Sequence, residues 1–161
     1  MVPHVCNVLL VDDAENDRLL LKIAFEQAEP KSLSLLKPLS NGAEAIAYLA
    51  GRPPFDDRHM FPYPDMLVLD LKMPLKNGFE VLEWIRTQAS RPVVVILSDS
   101  SQKADKDRAF ALGAADYCVK PGGLPELVAL ISRFEDIWRR VAHGRVAPTL
   151  PAQRQPSRLA G

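Results

Sequence analysis

Short runs of aliphatic residues alternate along this chain with segments whose apolar positions recur at helical spacing. Strand-like runs cover Asn7–Val11, Leu33–Leu39, Met66–Leu71, Val93–Leu97 and Ala115–Val119. The first, third and fourth are nearly continuous aliphatics, the pattern of strands in a parallel sheet covered on both faces. Between them the spacing predicts a helix from about Glu15, with Leu19, Leu20, Ile23, Ala24 and Phe25 as its apolar face. A second helix is predicted over Ala43–Leu49, with Gly51 in the stop position. Phe79, Val81, Leu82 and Ile85 mark a third, and a charged fourth covers Lys103–Leu112 and ends at Gly113. The fifth is long, with Leu127, Leu130, Ile131, Phe134, Trp138 and Val141 at helical spacing. Five strands alternating with five helices predict a doubly wound α/β domain with right-handed crossovers. In such a sheet the ligand site lies beyond the carboxyl ends of the strands.

Two segments fall outside this alternation. Residues 51–64, GRPPFDDRHMFPYP, form a Pro-rich insertion longer than most helix-to-strand connections. Residues 144–161 are rich in Pro and Arg and poor in large apolar side chains, which predicts a disordered tail after a domain over residues 1–143. A chain of 161 residues suits one such domain. Lys and Arg together number 20, as do Asp and Glu, so net charge offers no argument for a nucleic-acid or membrane partner. No apolar stretch approaches the roughly 20 residues needed to cross a bilayer. Asp12 and Asp13 directly after the first apolar run are incompatible with a signal peptide, and the chain reads as cytoplasmic. Cys6 and Cys118 lie beside or within strand-like runs and read as small core residues rather than a disulfide or a metal site.

The acids are the exception to the apolar pattern. Asp12 and Asp13 follow NVLLV, and Asp70 follows MLVL. A single strand-end Asp is most simply a helix cap or a turn residue. Three carboxylates at one sheet edge are different, because two charges about 4 Å apart repel by roughly 4 kcal/mol at an effective dielectric of about 20. A hard divalent cation relieves that repulsion, and Mg²⁺ suits a few carboxylates, waters and a phosphate oxygen. Ser98 closes the fourth strand-like run and Lys120 the fifth; a hydroxyl and an ammonium there would bind the oxygens of a phosphoryl group on Asp70. SDSS offers Ser100 and Ser101 as rival hydroxyls.

In order and at suitable spacing, VLLVDD, MLVLDLKMPLKNG, VVVILS and GAADYCVKP resemble the receiver domain of two-component response regulators, over roughly Asn7 to Val141. The resemblance implies a flavodoxin-like sheet of order 2-1-3-4-5 and no turnover enzyme beyond self-phosphorylation and dephosphorylation. It implies Asp70 as the acceptor of a phosphoryl group from a sensor histidine kinase. It also implies Mg²⁺ held by Asp13 directly, by Asp12 mainly through water, by Asp70 and by the backbone carbonyl of Lys72. Ser98 would be the switch hydroxyl, Lys120 the phosphate-binding lysine and Tyr117 the aromatic switch. Asp99 departs from the small residue that receivers usually carry after the hydroxyl; it either repels phosphate or points outward. Lys72 and Asp99 stand where phosphoryl lifetime is tuned.

No output module is expected after the receiver, so its output is expected to be a contact. The insertion and FEDIWRR resemble, more loosely, single-domain regulators paired with phytochrome-type sensor kinases, which often dimerise through the fourth helix, fifth strand and fifth helix. Trp138 and Val141 extend the apolar stripe of the last helix; Trp138 either serves a partner surface or packs beneath the tail or the insertion. Three other readings compete. A pseudo-receiver, folded alike but used only for binding, would not need the acids, Ser98 and Lys120. A haloacid-dehalogenase-like phosphatase wants a second Asp where Lys72 stands. A dinucleotide-binding domain wants a glycine-rich turn after the first strand, and there is none.

Overall fold

The computed structural model describes residues 4–142. Five strands, β1 (Cys6–Val11), β2 (Leu33–Leu35), β3 (Met66–Leu69), β4 (Val93–Ser98) and β5 (Asp116–Val119), form one parallel sheet in the order β2-β1-β3-β4-β5. The helices are α1 (Glu15–Ala28), α2 (Gly42–Ala50), α3 (Gly78–Arg86), α4 (Lys103–Ala111) and α5 (Leu124–Ala142). This is the doubly wound topology expected from the hydrophobic pattern. The tail anticipated over residues 144–161 lies outside the described residues.

Strand alternation divides the interior in two. Leu9, Val11, Leu67, Leu69, Val94 and Ile96 point toward α2, α3 and α4, where Ile46, Val81, Leu82, Ile85 and Ala109 meet them. Val8, Leu10, Met66, Val68, Val95 and Leu97 point toward α1 and α5, against Ala24, Phe25, Ile131 and Phe134. Cys6 and Cys118 belong to this second cluster as free, buried thiols. Burial, with the Asp116 carboxylate adding to it, pushes Cys118 up to about 11, so that thiol stays protonated.

Several elements depart from the expected bounds. β2 stops at Leu35, and Leu39 returns only as an isolated bridge to Val11, because Pro38 has no N–H to continue the ladder. On α1 the buried stripe is Leu21, Ala24 and Phe25, while Leu19 and Leu20 are exposed. The run LLLKIAF permits more than one helical frame, and contact with α5 selects this one. Trp138 does not pack on the insertion, and the tail lies outside the described residues. Its indole lies against the second core cluster and donates to the His4 carbonyl at 3.4 Å, on the N-terminal segment.

The insertion has a fixed shape without regular structure. Phe55 and Phe61 gather around Tyr48 of α2 with ring centroids 5.2–6.0 Å apart. Arg58 donates to the carbonyls of Tyr48 at 2.7 Å and Leu49 at 3.0 Å, satisfying the end of α2 that Gly51 closes at φ 67°. The only cis peptide bond among the described residues is Pro53–Pro54, so Lys120–Pro121 is trans.

The connection from β3 to α3 borders the carboxyl edge of the sheet. It holds Leu75 in the left-handed region at φ 66°, which costs a Leu about 1–2 kcal/mol. Asn77 and Glu80 close a capping box at the start of α3. Gly78 follows, with its N–H on the Leu71 carbonyl at 2.9 Å. A Cβ there would stand 2.4 Å from the Asp70 carbonyl oxygen, so the first turn of α3 rests directly on the Asp70 backbone. Gly78→Ala is therefore expected to lower stability by about 1–3 kcal/mol in urea unfolding, since backbone rather than a flexible side chain must yield.

Candidate functional site at the carboxyl edge of the sheet

Parallel pairing brings the ends of β1, β3, β4 and β5 to one level. Asp12 continues β1, with its N–H on the Leu39 carbonyl at 3.1 Å, and Asp70 continues β3, with its N–H on the Val11 carbonyl at 3.0 Å. Ser98 ends β4 and its carbonyl accepts from the Lys120 N–H at 2.8 Å. The residues singled out in sequence are thus neighbours through the sheet ladder itself. Asp12 and Asp70 are only 2% and 6% exposed, whereas Asp13 lies at the surface. Oxygens of these three carboxylates lie within 4.8 Å of one another.

Lys120 offsets this charge. Its Nζ stands 2.8 Å from Asp12 Oδ2, 2.8 Å from Asp17 Oδ2 and 3.3 Å from Asp70 Oδ2. Burial alone would depress the ammonium pKa, but the bonds to Asp12 and Asp17, with the charges of Asp12 and Asp70, raise it above its ordinary value. The side chain is a permanent cation. Asp70 behaves differently: burial, reinforced by the Asp12 charge and opposed by Lys120, raises its carboxyl to about 6. The Leu71 N–H donates to Asp70 Oδ1 at 2.8 Å and orients the group. Asp12 Oδ1 accepts from the Ala14 N–H at 2.9 Å, which fixes the turn into α1.

Of the three candidate hydroxyls, Ser98 is buried beside Lys120 in the ladder, Ser100 is bonded to Asp105, and Ser101 is exposed. Ser98 Oγ accepts from the Ser100 N–H at 3.2 Å, which leaves its own proton free to donate. Tyr117 is buried, and its hydroxyl donates to the Ser100 carbonyl at 2.7 Å. Asp99 and Lys72 are both exposed. Asp17 was not among the residues singled out in sequence, because an acid in the first turn of α1 reads simply as a helix N-terminal charge. Arg18 beside it donates to the Asp12 carbonyl at 2.7 Å, so two successive residues tie α1 to the site.

These donors suit a hard cation and an anionic ligand together. Asp12, Asp13 and Asp70 offer only oxygen, as Mg²⁺ prefers, and four carboxylates against one ammonium leave negative charge for a cation to neutralise. A doubly wound sheet with acids, a hydroxyl and a lysine converging at its carboxyl edge defines an α/β protein built to handle a small charged group. Residues 8–132 match the response regulator receiver domain, and the chain belongs to that family.

Receiver domains generally bind Mg²⁺, pair with sensor histidine kinases and act in signalling rather than as classical enzymes. Response regulator RPA3017, of red light signalling in R. palustris, is 32% identical with a TM-score of 0.76, covering 83% of this chain and 94% of that one. The phosphorylated cyanobacterial phytochrome response regulator RcpA is 28% identical with a TM-score of 0.74, covering 84% and 94%. Response regulator ArlR of Staphylococcus aureus is 40% identical over 84 residues, 52% of this chain and 36% of that protein. The chain thus matches about a third of the length of that curated relative. Among the described residues, no helix is long and apolar enough to cross a membrane.

The raised Asp70 carboxyl makes stability depend on pH. The folded state keeps this proton to higher pH than the unfolded chain, so the resulting stabilisation is complete below about pH 4 and is lost as pH rises through about 6. In metal-free buffer at pH 7.5, Asp70→Asn is expected to be more stable than wild type by roughly 1–3 kcal/mol. Denaturation followed across pH should show that advantage shrink toward pH 4.

Proposed function

We propose that this chain accepts a phosphoryl group on Asp70 from a sensor histidine kinase, in a Mg²⁺-dependent step, and signals through a changed interaction surface. The observation that carries the reading is the Lys120 ammonium 3.3 Å from a buried Asp70 carboxylate, with the free Ser98 hydroxyl at the adjoining strand end. An Asp70 carboxylate oxygen attacks the phosphorus of a phosphohistidine. The P–N bond breaks, the imidazole leaves and takes up a proton, and an acyl phosphate remains. Lys120 and Ser98 donate to the phosphoryl oxygens, while the Leu71 N–H keeps the carboxylate in place. Mg²⁺, held by Asp12, Asp13, Asp70 and the Lys72 carbonyl, would supply the charge neutralisation that an incoming anion needs. Water then hydrolyses the acyl phosphate, releasing inorganic phosphate and returning the Asp70 carboxylate.

The switch follows from what Ser98 is bonded to. Drawing its hydroxyl toward a phosphoryl oxygen disturbs the Ser100 N–H, and through Ser100 the Tyr117 hydroxyl and Asp105 of α4. Reversing a two-state equilibrium from about 1:99 to 99:1 takes about 5.5 kcal/mol. Several charge-assisted hydrogen bonds to a new dianion are of that order. Similarity over nearly the whole of the phytochrome response regulator RcpA, and of RPA3017 of red light signalling, supports a phytochrome-type kinase as the partner. Phe110 on α4 and Val119 on the edge strand β5 are exposed, which supports homodimer formation through α4, β5 and α5.

Incubation with a small-molecule phosphodonor and Mg²⁺, followed by intact-mass measurement, is expected to yield one phosphoryl adduct in wild type and none in Asp70→Ala. In the same assay, decay of the adduct in Lys72→Ala and Asp99→Ala is expected to differ from wild type. Absence of an adduct in wild type, with a cognate kinase as well, would overturn the reading. Light scattering with and without a phosphate mimic should show the mass double on activation, whereas a monomer in both states would exclude the dimer.

A further inference from the structure

Lys120 has three ammonium hydrogens, and three carboxylates share them. Asp12 and Asp70 belong to the acidic pocket. Asp17 lies outside that cluster, in the first turn of α1. Its bond to Nζ, at 2.8 Å, is shorter than the 3.3 Å to Asp70. Lys120 therefore divides its hydrogen bonds among three carboxylates, with the longest to the group it would have to serve. Leu10, Leu21, Leu97 and Leu127 wall the space beside the ammonium, and Asp12 and Asp17 are the carboxylates that line it.

We infer that Asp17 is a positioning residue that competes with Asp70 for the Lys120 ammonium at rest and releases it when a phosphoryl oxygen becomes available. The inference rests on the reading of Asp70 as phosphoacceptor. Release is easy for physical reasons. Asp17 is 37% exposed, so water can replace the ammonium, and a carboxylate at a helix N-terminus keeps a favourable field without it. Asp12 retains its Ala14 N–H bond and remains an anchor for Lys120 throughout. Asp17 is thus the one of the three carboxylates that can let go at little cost, and its grip sets how much of the ammonium is on offer to an incoming phosphoryl group.

The test compares rates of Asp70 phosphorylation from a small-molecule donor, with Mg²⁺, in wild type, Asp17→Ala, Asp17→Glu, Lys120→Ala and the Asp17→Ala/Lys120→Ala double variant. Asp17→Ala should react about fivefold faster, the scale of a partly exposed ion pair. Asp17→Glu should restore the slower rate, and Asp17→Ala should have no effect once Lys120 is absent. A ¹H–¹⁵N spectrum of the Lys120 ammonium in the unphosphorylated protein supplies a readout independent of the reaction, and its signal should shift in Asp17→Ala. Equal rates in wild type and Asp17→Ala, the same acceleration without Lys120, or an unmoved ammonium signal would each overturn the inference and leave the phosphoacceptor reading intact. A wild type that forms no adduct would instead overturn that reading, and this inference with it.

Discussion

The site depends on one ammonium placed among carboxylates at the end of an apolar sheet. Asp12 and Asp70 are buried together, and neither could remain charged there without a counter-charge within hydrogen-bond reach. Lys120 is that counter-charge. It is delivered by the same sheet that buries the acids, since its backbone N–H is paired to Ser98 while its side chain crosses to Asp12 and Asp70. Position and charge are therefore set by one framework. One positive charge does not balance the pocket, and the residual negative charge suits a cation.

The surroundings of this pocket are rigid on one side and lightly tethered on the other. Toward α3, the first helical turn sits on the Asp70 backbone with no room for a side chain at Gly78, so the loop after Asp70 has little freedom. Toward α4, the link is a short relay of hydrogen bonds through Ser98, Ser100, Tyr117 and Asp105. Ala109 is the only fully buried residue of α4, so this helix has little apolar anchorage compared with α3 or α5. An event at the strand ends would be absorbed on the side that is least packed. This asymmetry gives a physical basis for a surface around α4 and β5 that responds to the pocket.

Much of the fold was legible in the residues alone. Aliphatic runs long enough for a strand but too short for a helix located β1, β3 and β4, and acids, Ser and Lys directly after such runs located the carboxyl-edge cluster. That inference works because strand ends are local features, and parallel pairing necessarily collects them at one edge. Local pattern was insufficient where two frames served equally well. LLLKIAF offers several apolar faces, and only the contact of α1 with α5 buries Leu21 while leaving Leu19 and Leu20 to solvent. For the serines of SDSS the structure adds partners that local pattern does not give: Asp105 takes the Ser100 hydroxyl, and the β4–β5 register puts Ser98 beside Lys120.

The sequence by itself determined the alternation of strands and helices, the aliphatic core of the central strands and the chemical types gathered at the sheet edge. Each follows from burial and from the period of regular structure. Tertiary structure alone decided which charges touch. Asp17 and Lys120 are 103 positions apart, and their contact depends on how α1 and β5 meet across the sheet. The packing of Trp138 on the His4 backbone, 134 positions away, is of the same kind. Periodicity says which face of an element is buried. It does not say what a polar side chain at the end of that element will find opposite it.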